Sequence, residues 1–159
     1  MNIKKLLGYQ VLDSRGRPTV AVTITLSDGS LHTARVPSGA STGAHEAHEL
    51  RDAGTAKAES YYVGKSVYTA VENINSKIAP KLLGHSLNLA AIDGLLVEVD
   101  PTPGHQKFGA NATLATSLAV AKAAAHATGK SLARYFQPEG ALLLPMPMVN
   151  ILSGGAHAN

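Results

Sequence analysis

Between Arg35 and Asp52 the chain reads RVPSGASTGAHEAHELRD, a dense run of groups able to bind or move charge. Gly39 and Gly43 bracket Ala40, Ser41 and Thr42. Glycines at both ends let such a loop swing, and the two hydroxyls offer oxygen ligands to a hard cation or a phosphate. A surface loop without a ligand has the same local composition. His45, Glu46, His48 and Glu49 follow, but the histidines are three apart, whereas the zinc-protease motif sets them four apart around its glutamate. A solvated helical turn is the simpler expectation there. VGKS, Val63 to Ser66, imitates the end of a phosphate-binding loop, yet Glu59 stands where that loop requires glycine. His126, on an alanine-rich stretch, reads as a packing or surface residue. Near the C-terminus, SGGAHAN places Gly154 and Gly155 before His157. Glycines there leave room for a ligand and the histidine could contact it, as residues do at the C-terminal ends of barrel strands.

The elements that must position these groups are legible in the periodicity. YQVLDS, TVAVTITL and SLHTARV read as three strands from Gly8 to Val36, the second alternating Val20, Val22, Ile24 and Leu26 against Thr19, Ala21, Thr23 and Thr25. Gly16 with Pro18, and Asp28 with Gly29, mark the corners of an antiparallel meander. After Gly64 the period becomes helical. Val67, Val71, Ile74 and Ile78 share one face until Pro80 ends or kinks the helix. Leu89, Ile92, Leu95 and Leu96 follow a possible Asn88 cap, and a long alanine-rich helix runs from a cap near Asn111 to Gly129. A short helix in SLARYFQ completes an α+β domain, three strands first and a helical layer second. The tail breaks the pattern. MVNIL, in residues 142–159, has the continuous apolar character of a strand buried on both faces, as parallel barrel strands are.

Composition narrows the function classes. In 159 residues, 45% hydrophobic content suffices for one core, while charged residues are only 16%, below the roughly 25% of an average soluble protein. The net charge of +3 is scattered, Trp is absent and Phe numbers two, so there is no clear nucleic-acid signature. No cysteine means no disulfide or thiolate metal site, which is compatible with the cytoplasm. Gly8, Gln10 and Asp13 interrupt any signal-like core at the N-terminus, and Ser117 to Ala127 is too short to span a membrane.

Four segments, in order, resemble the enolase family. DSRGRPTV is similar to its opening hairpin, PSGASTGAHEAHELRD to its mobile catalytic loop, KFGANATLATSLAVAKAAA to its long helix, and PMPMVNILSGGAHAN to its first barrel strand and following loop. The resemblance implies a capping domain over residues 1–141 and, over 142–159, the start of a (β/α)8-type catalytic barrel that is incomplete in these residues. It implies the cytoplasmic glycolytic lyase that reversibly dehydrates 2-phosphoglycerate to phosphoenolpyruvate. Removing a proton next to a carboxylate builds a highly charged enediolate, which the family stabilises with two Mg²⁺ ions. By the same resemblance Ser41 caps the second Mg²⁺, with Gly39, Ala40, Thr42 and Gly43 as hinge and lid. Gly39 and Ala40 lie at the substrate, and His157 matches a substrate-contacting histidine.

The acidic ligands of the family's first Mg²⁺, its lysine base and its assisting glutamate belong to the barrel, which needs about 250 residues. These residues alone are therefore expected to be inactive, a truncated part of a homo-oligomeric enzyme. The alternative is a noncatalytic module of the same fold that acts as a binding or interaction domain. Three positions depart from the family pattern: Arg17 where Asn is usual, Ala21 where an acidic residue pairs with a partner subunit's arginine, and Pro101 where Gly is usual.

Overall fold

A computed structural model of the chain describes residues 1–39, 43–54, 61–152 and 154. Three strands, β1 (Ile3–Leu12), β2 (Pro18–Leu26) and β3 (Leu31–Arg35), form an antiparallel sheet in the order β1-β2-β3. The alternation in β2 aligns Val20, Val22, Ile24 and Leu26 on one face, and all four are fully buried. The corners fall at Gly16 and Gly29, both with positive φ. β1 begins five residues earlier than its strand-like pattern predicts. Lys4 and Lys5 obscure the alternation, and a register shift between Ile3 and Lys5 lets Ile3 and Leu6 both reach the core.

Helices cover the inner face of the sheet. α1 (Tyr68–Asn73) runs into a π-helical turn (Ile74–Ile78) and then α2 (Ala79–Leu82), so Pro80 does not end the run. Proline has no N–H to offer the preceding turn and its ring crowds that turn's carbonyl, and the wider turn lies immediately before it. Val67, Ile74 and Ile78 are buried as their spacing predicts. α3 (Leu89–Val99) starts at Asn88, whose side chain accepts the Ala91 N–H at 3.1 Å. α4 (Ala110–Ala127) lays Ala112, Ala115, Ala119 and Ala123, all fully buried, against β2 and β3, where small side chains permit a close approach. It closes at Gly129, whose N–H meets the His126 carbonyl while Lys130 N–H reaches Ala125. α5 (Leu132–Phe136) is capped by Ser131, which accepts the Arg134 N–H at 3.2 Å.

The core draws on the sheet, α1 to α4, and the connecting segments, including Val36 and Phe108. At Gly8 the packing leaves no room for a side chain: a Cβ there would stand 2.7 Å from Ile74 Cγ2. Asn75 finishes this contact, accepting the Gly8 N–H at 2.8 Å and donating to its carbonyl at 2.9 Å, so the β1 edge is covered. On the opposite edge Lys122 donates to the Thr33 carbonyl at 2.9 Å.

Over Ala141–Leu152 no strand forms. Leu143, Leu144, Met146, Met148, Ile151 and Leu152 are each at least 85% exposed, and none joins the core. A strand exists only where partner strands accept its hydrogen bonds, and the three strands of the sheet pair only with one another. The tail thus has the apolar composition of a buried strand without the neighbours that would make one.

Candidate functional site

The segment between β3 and α1 is tied down on both sides of residues 40–42. On the first side two arginines converge on Ser38. Arg15 Nη2 donates to the Ser38 carbonyl at 2.6 Å, and Arg51 Nη2 donates to its hydroxyl oxygen at 3.1 Å. Arg51 also grips Glu49 through two contacts, at 2.8 and 3.2 Å, and donates through Nη1 to the carbonyls of Pro18 and Lys65. A planar guanidinium suits this role, because its donors diverge in fixed directions toward several acceptors at once. Arg15 is held in turn by Asp13 across 3.3 Å. The amide of Arg17, foremost, together with the amide and guanidinium of Arg15, holds the Asp13 carboxyl below the usual carboxylate range.

On the second side, Glu46 Oε1 accepts the Gly43 N–H at 2.8 Å, and the Glu46 N–H reaches the Gly43 carbonyl at 3.3 Å. This is a turn closed by its own side chain, not the helical turn that the His and Glu spacing suggests; His45 and His48 are exposed. The chain is next fastened to the start of α4. His48 N–H donates to Gly104, His48 C=O accepts from Ala110, and the Asn111 amide matches both backbone groups of Leu50, at 3.2 and 3.0 Å. Asn111 is therefore not the helix cap. That position is Gly109, at φ 92°, where a Cβ would come within 2.5 Å of Leu50 Cβ. Asp52 ends the segment by accepting the N–H groups of Tyr68 and Thr69 at 2.7 and 2.9 Å, satisfying the open start of α1.

The turn that presents Gly109 is organised by Asp100, which is buried and accepts from Thr102 and from the Phe108 N–H at 2.7 Å. Burial raises its pKa, but the hydrogen bonds from the Thr102 hydroxyl and the Phe108 and Thr102 amides outweigh it, leaving Asp100 below the usual range. Between this turn, α3 and the Ser38 root opens a cleft of about 500 Å³. Val36, Leu96 and Leu114 form its apolar wall, and Glu46 and Glu49 stand on its polar side. Asp93 Oδ1 and His105 Nδ1 are buried in the lining without a hydrogen-bond partner among the described residues.

Of the site residues read from the sequence, Gly39 and Gly43 stand at the two anchored ends. Ala40, Ser41, Thr42 and His157 lie outside the described residues. Among the described residues no group of three or more His, Asp or Glu side chains is placed to hold a metal ion. Sequence reasoning missed Arg15, Arg51, Asn111 and Asp52, the residues that support the loop's ends. Their roles depend on contacts between segments apart in the sequence: Arg15 lies 23 residues from Ser38, and Asn111 lies 61 from Leu50.

Residues 3–136, from the start of β1 to the end of α5, match the family model described as enolase, N-terminal domain. The chain belongs to the enolase family. The three antiparallel strands followed by helices are the architecture of that enolase domain, and the match contains the anchored loop and every clamp around it. It stops short of the exposed tail and contains the whole core. No helix among the described residues is long and apolar enough to cross a membrane. Ala21, one of the departures from the enolase pattern, is fully buried in the central strand, with Tyr9 and Arg35 as its cross-strand neighbours. Arg17 and Pro101 are exposed.

Proposed function

We propose that these residues are the N-terminal part of an enolase that reversibly dehydrates 2-phosphoglycerate to phosphoenolpyruvate with Mg²⁺, and that residues 39–43 are its lid. The observation that carries this reading is the family match over residues 3–136, which includes a loop gripped at Ser38 by Arg15 and Arg51 and closed at Gly43 by Glu46. Fixed ends around a short glycine-flanked span suit a segment that moves as a unit over a substrate.

In this reading Ser41 is the loop's ligand to the second Mg²⁺, Gly39 and Ala40 lie against substrate, and Thr42 and Gly43 complete the hinge. His157 contacts substrate from the end of the first barrel strand. Residues 1–141 form the capping domain and 142–159 begin the barrel. When bound, the metal would stabilise negative charge on the substrate. Family likeness assigns the remaining ligands, the base and the acid to the barrel. A cytoplasmic homodimer is the assembly that family likeness favours. Replacement of the usual acidic residue by Ala21 removes one contact from that interface, and a glutamate restored there would have Arg35 of its own sheet as neighbour.

These 159 residues alone accordingly turn over no 2-phosphoglycerate. The test is the ultraviolet absorbance of phosphoenolpyruvate after mixing purified chain, Mg²⁺ and 2-phosphoglycerate. Absorbance at the level of a no-protein control is expected. Turnover that Ser41→Ala removes would contradict the assignment of base and acid to the barrel.

A further inference from the structure

The end of the molecule opposite the loop carries a cluster that the enolase reading does not use. His32 on β3 and His126 in the last turn of α4 face each other with ring centroids 4.7 Å apart and planes tilted by 44°. Asp28 and Ser30 in the β2–β3 turn extend the cluster. Ser30 Oγ donates to Asp28 Oδ1 at 2.7 Å, and His32 Nε2 lies 3.1 Å from the same Ser30 oxygen. Because the Ser30 proton is committed to Asp28, its oxygen is left to accept, and neutral His32 must carry its proton on Nε2. The other charged group here is Lys122, one turn before His126, whose ammonium sits on the Thr33 carbonyl. His32 is thus met by one carboxylate from its own hairpin and by an imidazole from α4, while Lys122 is engaged at the neighbouring Thr33 carbonyl.

We propose that His32 and His126 form a proton-operated latch, which fastens the last turn of α4 to the β2–β3 hairpin while the rings are in contact and neutral, and loosens it when both are protonated. Two imidazolium rings at this separation repel at short range, and the single carboxylate of Asp28, which favours the charged form of each ring, offsets only part of that repulsion. Burial first, and then the charge of His126, hold His32 below the ordinary imidazole pKa, against the opposing pull of Asp28. The sign follows from that direction. The unfolded chain takes the proton before the folded one does, so the latch contributes fully above about pH 6.5 and is lost as pH falls from there through the folded value.

Amide hydrogen exchange of the 159-residue chain, corrected for intrinsic rates, tests the latch at about pH 7.5 and about pH 5.5, either side of the imidazole range. Protection of residues 28–33 and 122–128 should fall by about tenfold at the lower pH, more than at the Asn111–Leu50 end of α4. His126→Gln should flatten that response, whereas His85→Gln, at an exposed histidine elsewhere, should leave it intact. A wild-type response surviving in His126→Gln, or no response in the wild type, would overturn the proposal. Should the variant fail to fold, NMR titration of the wild-type rings decides. Coupled titration, with His32 depressed, supports the latch; independent titration of both rings at the ordinary value refutes it.

Discussion

Arg51 carries more of the loop's support than any other side chain near it, because one guanidinium serves Glu49, Ser38 and the carbonyls of Pro18 and Lys65 together. Lysine keeps the charge but cannot reproduce those directions. Arg51→Lys should therefore cost about 1.5 to 3 kcal/mol in urea unfolding, the range for hydrogen bonds to charged groups; an unchanged midpoint would mean that water replaces the fork. Asn111 makes the parallel case for a neutral side chain. Its amide is the matching partner for both polar groups of Leu50, so Asn111→Ala leaves a donor and an acceptor without partners and should cost about 1 to 3 kcal/mol. Asn111→Asp keeps the acceptor alone and should recover only part of that loss.

Among the elements, β1 and the π-helical turn approach each other closely. Gly8→Ala places a methyl 2.7 Å from Ile74 Cγ2 and should destabilise by about 1 to 3 kcal/mol. Because the clash is with Ile74 itself, a double-mutant cycle with Ile74→Ala should show coupling of at least about 0.5 kcal/mol; strict additivity would place the strain elsewhere. The Asp100 turn supplies a pH-dependent term. Its depressed carboxyl stabilises the fold above the unfolded value of about 3.9, and that contribution is lost as pH falls through the lower folded value. Asp100→Asn should flatten acid unfolding over that window, as followed by circular dichroism. Elements with a strict period were legible in the sequence: β2 through its buried alternation, α3 through Asn88, α4 through its alanines and Gly129. What was not legible depends on partners distant in sequence. Asn111 looked like a cap because asparagine favours that position, but Leu50 claims its side chain from 61 residues away. Pro80 read as ending or kinking the helix, because local rules do not foresee the wider turn that precedes it. The candidate loop was legible from Gly39 and Gly43, whereas the arginines that hold it became visible only once the hairpin and loop were brought together.

Across the whole molecule the dividing line falls after α5. The core, the family match and the clamps around the loop all lie before it, and the apolar side chains of the tail lie outside the core. Burial of a Leu, Ile or Met side chain is worth about 1.5 to 3 kcal/mol, but Leu144 and Met148, at 96% and 100% exposed, obtain none of it. An exposed apolar run of this kind favours association between copies. The central claim is that residues 1–141 form a self-sufficient domain that carries the enolase loop, independent of the tail. Urea unfolding and sedimentation of the chain with residues 142–159 deleted, beside the full 159 residues, test this most directly. The account predicts the same helical signal, a single cooperative transition at an unchanged midpoint, and less self-association in the shortened chain. Loss of the cooperative transition on deletion would contradict it, because the tail would then be part of the structure that holds the loop in place.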